Sequence, residues 1–231
     1  MPSRKRGLSR TLQIEAVRDS LRHHLKPRNR RVALSTELPF GREASQYFKE
    51  LVTSAEIYLE YGAGASTLMA HELRCHFVTV ESDAYFLKLV EDACQSTDSG
   101  REKDLATFIH ADIGPTGAWG KPVFPSFPRP TKWKSYAAAP WATLGQEFRA
   151  AAILIDGRFR VACALTLALQ QPEGPWVLMF DDYTERREYW AVEEFLQLKR
   201  FCGRMAIFEP SPGINREAAA VALEHYNRDW R

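Results

Sequence analysis

Acidic residues stand at the ends of five successive apolar segments of this sequence. They are Glu60, Glu81, Asp112, Asp156 and the adjacent pair Asp181 and Asp182. If the segments are parallel strands joined by helices, their carboxyl ends meet along one edge of a sheet. Ligands of such sheets bind beyond that edge, near the point where the strand order reverses. The spacing therefore predicts one shared site.

The first segment runs into a tight glycine turn, in the stretch LEYGAGAST. Gly62 and Gly64 permit a positive φ and a close approach of the backbone to a ligand. The helix expected behind them presents its N-terminus, which favours an electronegative ligand group. A simple strand-to-helix turn is the alternative, so the glycines by themselves are weak evidence for a ligand.

The second and third strand ends add chemistry that suits a nucleoside. Glu81 lies 21 residues after Glu60, and a carboxylate there can accept hydrogen bonds from both hydroxyls of a ribose. The alternative is a helix-capping acid, helped by Ser82 and Asp83. Asp112 can accept a hydrogen bond from an adenine amino group. Together with the glycine turn, these residues predict a nucleotide-like cofactor.

Two cofactors of this kind fit these residues, a dinucleotide and S-adenosylmethionine. A dinucleotide site has a third glycine in the pattern G-x-G-x-x-G, where this chain has Thr67. Glu60 stands two residues before the first glycine and would repel a pyrophosphate. The same carboxylate suits the amino group and the sulfonium of S-adenosylmethionine. The charges therefore predict S-adenosylmethionine.

The elements that must position these residues alternate between strands and helices. Apolar residues recur at helical spacing in 44–52, 86–94 and 161–169, a charged helix is expected from Thr184, and the tail from Arg216 favours helix. Strands are expected in 55–60, 76–82, 106–112, 151–157, 176–182 and 204–209. This order predicts an α/β fold: a doubly wound, mostly parallel, Rossmann-like sheet of about six to seven strands with helices on both faces.

Length and composition indicate a single globular domain behind a basic arm. The chain has 231 residues, and residues 1–31 hold ten Lys and Arg against two acidic residues. We expect an arm with an amphipathic helix over 1–31 and a cofactor-binding domain over 32–231. No apolar run approaches the length of a membrane span. The four cysteines lie far apart, which argues against a disulfide framework and suits the cytoplasm.

The motifs LEYGAGAST, VTVESD, IHADIG and ILIDG resemble those of Rossmann-fold S-adenosylmethionine-dependent methyltransferases, over roughly residues 40–210. The resemblance implies a cofactor site made of Glu60, Gly62, Gly64, Ser66, Glu81, Ser82, Asp112 and Ile113. In such a site Glu60, Gly62 and Gly64 line the methionine part. Glu81 then binds the ribose, and Asp112 lies near the adenine.

A narrower resemblance concerns the stretches LIDGR and VLMFDDY. They are similar to the metal-dependent sugar O-methyltransferases of macrolide and aminocoumarin pathways, of the macrocin type, whose aspartates at these places bind magnesium. The resemblance implies Asp156, Asp181 and Asp182 as ligands, and an all-oxygen set suits Mg²⁺. Arg158 occupies the place of that group's general base, so the candidate catalytic residues are Asp156 and Arg158.

The three aspartates have a second interpretation, which the sequence leaves equally open. Arginines close in the chain can neutralise them in an ion-pair cluster that needs no metal. The candidates are Arg158, Arg160, Arg186 and Arg187. Both interpretations place Asp156 in the cleft.

Residues 114–145 interrupt the pattern of strands and helices. They contain six prolines and six aromatic residues, and we expect a long irregular segment there. It starts beside Asp112 and returns to the strand that ends at Asp156, so we predict a lid over the acceptor pocket. A surface loop whose aromatic residues cover one sheet face is the alternative.

The predicted function is methyl transfer from S-adenosylmethionine to a small-molecule acceptor, at oxygen. One alternative is a nucleic-acid methyltransferase that holds phosphates with the basic arm and the KWKSY stretch. Another is a non-catalytic binding protein with the same fold. The sequence lacks the N-P-P-Y type of motif and a cysteine beside the strand ends, which favours the small molecule. The arm helix can dock on its own domain or on a neighbouring subunit, so a homo-oligomer is one of two arrangements that the sequence leaves open.

Overall fold

Seven strands form one sheet in the computed structural model, which describes residues 34–97, 105–123 and 130–231. The strands are β1 (Tyr58–Tyr61), β2 (Phe77–Glu81), β3 (Ala106–His110), β4 (Ala152–Ile155), β5 (Val177–Phe180), β6 (Leu196–Cys202) and β7 (Met205–Pro210). Their order in the sheet is β3-β2-β1-β4-β5-β7-β6. Strands β1 to β5 pair in parallel, and β7 runs antiparallel between β5 and β6. This arrangement confirms the predicted fold class.

Helices cover both faces of the sheet. They are α1 (Arg42–Ser54), α2 (Ala65–Glu72), α3 (Ala84–Thr97), α4 (Pro130–Leu144), α5 (Arg160–Gln170) and α6 (Arg216–Tyr226). Side chains alternate along β1, so Tyr58 packs with Phe48 of α1 on one face. Leu59 and Tyr61 belong to the core on the other face, which includes residues of α4 and α5. The helices expected in 44–52, 86–94 and 161–169 and after Arg216 are therefore confirmed.

Helix α4 corrects the expectation of an irregular segment over 114–145. Pro130 can begin a helix because its missing N–H has no partner in the first turn, and the alanine run before Pro140 favours helix. Trp133 and Trp141 are buried in the core, and their indole N–H groups donate to Ile113 O and Phe148 O, each at 3.2 Å. These aromatic residues cover a sheet face, as the alternative stated. A lid remains a prediction for 114–123 alone.

The charged helix expected from Thr184 is also wrong. A 3₁₀ helix spans Arg187–Glu194 and strand β6 follows it. The charged residues before β6 imitate the composition of a surface helix. Strand β6 lies at the sheet edge, where four of its seven residues are exposed and one is intermediate in burial, so it has no apolar run by which to be recognised. Its partner β7 begins with four buried apolar residues, and such a run predicts a strand.

Some expectations concern the chain as a whole. The basic arm predicted for 1–31 lies outside the described residues. Within the described residues, no helix combines the length and the apolar character needed to cross a bilayer. The four cysteines are buried thiols.

Candidate active site

Glu60, at the carboxyl end of β1, is fully buried. Its Oε2 accepts hydrogen bonds from the Tyr58 hydroxyl at 2.9 Å and from Ser66 Oγ at 2.7 Å. Its Oε1 accepts one from the Thr67 hydroxyl, which in turn accepts from Gly64 N at 2.9 Å. Burial raises the pKa of Glu60, and the hydroxyl donors oppose that shift. In this structure Glu60 and Ser66 join the glycine turn to α2, and contact of either residue with a cofactor stays a prediction.

The two glycines of the turn have different surroundings. Gly62 has a φ of 102°, and a Cβ added there would lie 2.8 Å from Gly157 N. A Cβ added to Gly157 would lie 2.1 Å from the Tyr136 hydroxyl and 2.9 Å from Gly62 N. Beside Gly64, by contrast, no described atom comes within 4 Å of an added Cβ. Gly62 therefore lets the turn after β1 touch the turn after β4, while Gly64 borders open space.

Glu81, at the carboxyl end of β2, reaches the glycine turn. Its Oε2 accepts a hydrogen bond from Ala63 N at 3.2 Å, and its Oε1 accepts from Ser82 N at 2.6 Å and Asp83 N at 2.8 Å. Burial raises the pKa of Glu81. Asp83 caps α3, since its Oδ1 accepts from two backbone N–H groups of the first turn at 3.0 and 3.1 Å. Asp83, rather than Glu81, therefore caps this helix.

The segment after β3 lies over Glu81. A Cβ on Gly120 would be 2.5 Å from Ser82 Oγ and 3.2 Å from Glu81 Oε1, so a larger residue there would have to displace the Ser82 side chain. Ser82 Oγ donates to Gly120 O at 3.3 Å. The neighbouring Trp119 is 83% exposed and has a φ of 62°, a strained conformation for a residue with a side chain. An exposed aromatic ring thus stands beside the predicted ribose site.

Asp112 and Ile113 follow β3 at the same edge of the sheet. Asp112 is exposed, accepts a hydrogen bond from Gly114 N at 2.8 Å and pairs with Lys132 of α4. The hydrogen bond from Lys132 lowers the pKa of Asp112. Ile113 is buried, and its carbonyl accepts the Trp133 indole N–H. The place of Asp112 near the adenine and the contact of Ile113 with the cofactor stay predictions.

Asp156, Asp181 and Asp182 lie together beyond β4 and β5, with one carboxylate oxygen from each within 4.8 Å of the others. Arg160 lies between two of them, because its Nη2 is 2.9 Å from Asp156 Oδ1 and 3.3 Å from Asp182 Oδ2. Burial raises the pKa of Asp156 to about 7, although Arg160 opposes the shift. The side chain of Asp156 is nevertheless 30% exposed.

Two more arginines complete the cluster. Arg204 donates to Asp181 through Nε at 2.8 Å and Nη2 at 2.6 Å, a bidentate pair that fixes the carboxylate plane. Arg186 Nη2 lies 3.0 Å from Asp182 Oδ2. The three aspartates are therefore balanced by three guanidinium groups.

These contacts favour the ion-pair interpretation over a divalent cation. Arg160 is buried and also donates to Asp181 O at 2.7 Å and Gly157 O at 3.1 Å, so it is held where it bridges Asp156 and Asp182. A cation shared by the three carboxylates would have to displace that guanidinium. The metal site predicted from the three aspartates, whose carboxylates lie close enough together to hold an ion, stays a prediction.

Arg204 is the member of the cluster that sequence reasoning missed. It follows Gly203 in the turn between β6 and β7, and the antiparallel course of β7 brings it to the carboxyl end of β5. Because the sequence did not predict β6, it could not predict this turn either. Arg187, which was a candidate, lies against the ring of Trp190 at 5.4 Å instead.

Arg158 does not join the cluster. Its side chain is 8% exposed, and among the described residues its Nε has no hydrogen-bond partner. Its backbone N donates to the Tyr136 hydroxyl at 3.4 Å. Burial and the positive charge of Arg160 lower the pKa of Arg158. The structure thus places a buried, unpaired cation in the loop after β4.

Comparisons with known proteins identify the family. No family model and no curated protein sequence match this chain. Among solved structures, a methyltransferase-like protein from Silicibacter pomeroyi is 34% identical, with a TM-score of 0.70 over 84% of this chain and 97% of that one. This chain belongs to the Rossmann-fold S-adenosylmethionine-dependent methyltransferases.

Two other solved structures are less similar to this chain. They are an S-adenosylhomocysteine-bound methyltransferase from Podospora anserina and a protein from Corynebacterium glutamicum. The first is 14% identical, with a TM-score of 0.47 over 87% of this chain and 88% of that chain. The second is 6% identical, with a TM-score of 0.47 over 91% and 94%. The 34% identical structure confirms the family resemblance stated from the sequence, whereas the narrower macrocin-type similarity stays a prediction.

The described residues fit the family's cofactor. The open space beside Gly64 admits a ligand to the backbone, and the Glu81 carboxylate lies next to it. An acidic rather than basic residue at this place suits ribose hydroxyls and disfavours a phosphate. Gly120 approaches the same carboxylate, since a Cβ added there would lie 3.2 Å from Glu81 Oε1.

Proposed function

We propose that this methyltransferase transfers the methyl group of S-adenosylmethionine to a hydroxyl oxygen of a small molecule. One contact carries the proposal: Gly62 of the predicted cofactor turn packs directly against Gly157, which lies between Asp156 and Arg158. The candidate cofactor and acceptor residues therefore share one edge of the sheet. Donor and acceptor held in this way would be aligned for transfer.

The cofactor residues act by binding and orientation. S-adenosylmethionine supplies, when bound, an electrophilic methyl group on a sulfonium. Glu81 would hold the ribose hydroxyls, since its own position is set by Ala63 N and Ser82 N. Gly64 would let the methionine part approach the backbone, in the space that has no described atom within 4 Å of an added Cβ.

Asp156 is the proposed proton acceptor for the hydroxyl. Its carboxylate is partly exposed, and a pKa raised to about 7 is close to the optimum for a general base at neutral pH. Arg160 orients the carboxylate through Oδ1 and stabilises its ionised form. With three arginines in the cluster, this role needs no metal ion.

The segment 114–123 is the proposed cover of the site. Trp119 is exposed beside the Gly120 contact with Ser82, so closure of the segment would bring an apolar ring over the bound cofactor. Exclusion of water at that point favours methyl transfer to the acceptor over side reactions. The basic arm, on which the nucleic-acid alternative depends, lies outside the described residues.

Calorimetry with S-adenosylhomocysteine tests the cofactor part of the proposal. We expect the wild type to bind, and Glu81→Gln to bind roughly tenfold to hundredfold more weakly, because a hydrogen bond to a charged group contributes about 1.5–3 kcal/mol. Glu224→Gln, an exposed acid on α6, is the matched control and should bind as the wild type does. Absence of binding to the wild type would refute the proposal.

Turnover assays with hydroxyl, amine and carboxyl acceptors test the rest. Transfer to hydroxyl compounds, lost in Asp156→Asn while affinity for S-adenosylhomocysteine is kept, is the expected result. Transfer only to amines would contradict the oxygen assignment. No turnover with any acceptor, despite cofactor binding, would favour the non-catalytic alternative.

A further inference from the structure

Arg158 is a buried cation that the ion-pair cluster does not use. Its side chain is more than nine-tenths buried, and its Nε lacks a hydrogen-bond partner in the described parts of the chain. A guanidinium stays protonated in proteins, and burying one without a partner is strongly unfavourable. Arginine kept in such a place indicates that an anion normally completes the site.

The neighbouring acids cannot supply that anion, because they already have partners. Asp156 and Asp182 share Arg160, and Asp181 is paired with Arg204. The Glu81 oxygens accept from backbone N–H groups. Across the described residues no ion pair joins Arg158 to an acidic side chain. Arg158 is thus a fourth guanidinium beside three aspartates that Arg160, Arg186 and Arg204 already balance.

The side-chain stem of Arg158 lies near Gly120, which also approaches Glu81. A Cβ on Gly120 would lie 3.9 Å from Arg158 Cγ and 3.2 Å from Glu81 Oε1, so the Arg158 stem passes close to the predicted ribose position. Lys121, the next residue after Gly120, is exposed and its Nζ lies 6.0 Å from the ring of Trp230. Trp230 O accepts a hydrogen bond from the backbone N that follows Arg158. A second cation therefore lies on the segment that borders Arg158.

We propose that Arg158 binds a carboxylate or phosphate group of the acceptor, with Lys121 at the entrance. The inference rests on the proposed function, since it assumes that the same edge holds S-adenosylmethionine. A guanidinium binds either group through two parallel hydrogen bonds, which fix orientation as well as charge. An acceptor held in this way lies beside Asp156, two residues earlier in the chain. The other anion that reaches this edge is the carboxylate of the cofactor itself.

Thermal unfolding of the S-adenosylhomocysteine complex tests the inference with defined anions. The variants are Arg158→Met, which keeps the apolar stem, Arg158→Lys, which keeps the charge, and Arg187→Met as the matched control. Inorganic phosphate and para-hydroxybenzoate are added at constant ionic strength, with sodium chloride and uncharged para-hydroxybenzamide as reference solutes. A ligand at tenfold its Kd raises the folding equilibrium constant about elevenfold, which shifts the unfolding midpoint upwards.

We expect at least one anion to raise the midpoint of the wild type and of Arg187→Met, and neither to raise that of Arg158→Met. Arg158→Lys should retain part of the shift. Without added anions, Arg158→Met should unfold at the same or a higher temperature than the wild type, because it removes an unpaired buried charge. An equal anion effect in the wild type and Arg158→Met, or no effect in either, would overturn the inference.

Cofactor affinities decide which anion Arg158 meets. S-adenosylhomocysteine carries a carboxylate, whereas methylthioadenosine shares its thioether and adenosine but lacks that group. Unchanged affinity of Arg158→Met for both compounds supports an acceptor anion. A loss confined to S-adenosylhomocysteine assigns Arg158 to the cofactor and overturns the acceptor assignment. If the wild type binds neither compound, the proposed function itself fails, which is a different outcome from the loss of the anion effect alone.

Discussion

Substitution of the two glycines in the turn after β1 should separate packing from ligand binding. At Gly62 an added methyl group would lie 2.8 Å from Gly157 N and 2.9 Å from Gly157 Cα, both backbone atoms that have little room to move. The φ of 102° adds conformational strain for any residue other than glycine. At Gly64 no described atom lies within 4 Å of the added methyl group, and the extended backbone there accepts any residue.

The expected loss of stability in Gly62→Ala combines backbone strain with overpacking. Strain of this kind costs about 1–3 kcal/mol, and overpacking of a close contact costs about 1–3 kcal/mol more. We therefore expect Gly62→Ala to lower the free energy of unfolding by about 4 kcal/mol, and the melting temperature by roughly 8–16 °C for a domain of this size. Gly64→Ala should change stability by less than about 1 kcal/mol. It should instead weaken S-adenosylhomocysteine binding by at least about tenfold, the equivalent of 1.4 kcal/mol.

Urea unfolding followed by tryptophan fluorescence measures the first effect, since Trp133, Trp141 and Trp176 are buried and report on the core. Calorimetry with S-adenosylhomocysteine measures the second effect on the same samples. The reasoning would be refuted by Gly62→Ala unfolding within about 1 kcal/mol of the wild type. It would equally be refuted by Gly64→Ala binding S-adenosylhomocysteine as tightly as the wild type.

Three further predictions concern the buried acid, the exposed tryptophan and the aspartate cluster. Burial raises the pKa of Glu60 above its ordinary value of 4.5, so ionisation is less favourable in the folded chain than in the unfolded one. The urea midpoint of the wild type relative to that of Glu60→Gln should therefore fall as the pH rises through the folded pKa. A rise of the relative midpoint would contradict this sign. Trp119→Gly should relieve the strain at a φ of 62° and raise the free energy of unfolding by up to about 1 kcal/mol. The same substitution should weaken acceptor binding, measured as a higher KM. A lower melting temperature would count against backbone strain at this residue. Because Arg160 bridges Asp156 and Asp182, we expect metal chelators to leave turnover unchanged. Electron paramagnetic resonance should detect no Mn²⁺ bound at micromolar concentrations. A stoichiometric Mn²⁺ signal would restore the metal interpretation.

Local patterns in the sequence were sufficient for most of the fold. A buried parallel strand is a short apolar run, and a helix against a sheet repeats its apolar residues at helical spacing, so both could be read without knowing their partners. The ends of these apolar runs also gave the strand ends at Glu60, Glu81 and Asp156. The two errors, α4 and β6, occurred where composition misleads: prolines and aromatic residues disguised a buried helix, and charges disguised an edge strand.

The sequence by itself determined which acidic and glycine residues reach the functional edge of the sheet, because that depends only on where each strand ends. Only the tertiary structure decided what each residue meets there. Gly62 and Gly64 are two positions apart, yet one packs on Gly157 and the other borders open space. Arg204 pairs with Asp181 across 23 residues, while Arg158, two residues from Asp156, stays unpaired. Steric contact and ion pairing act over a few ångströms in space, and separation along the chain does not set those distances.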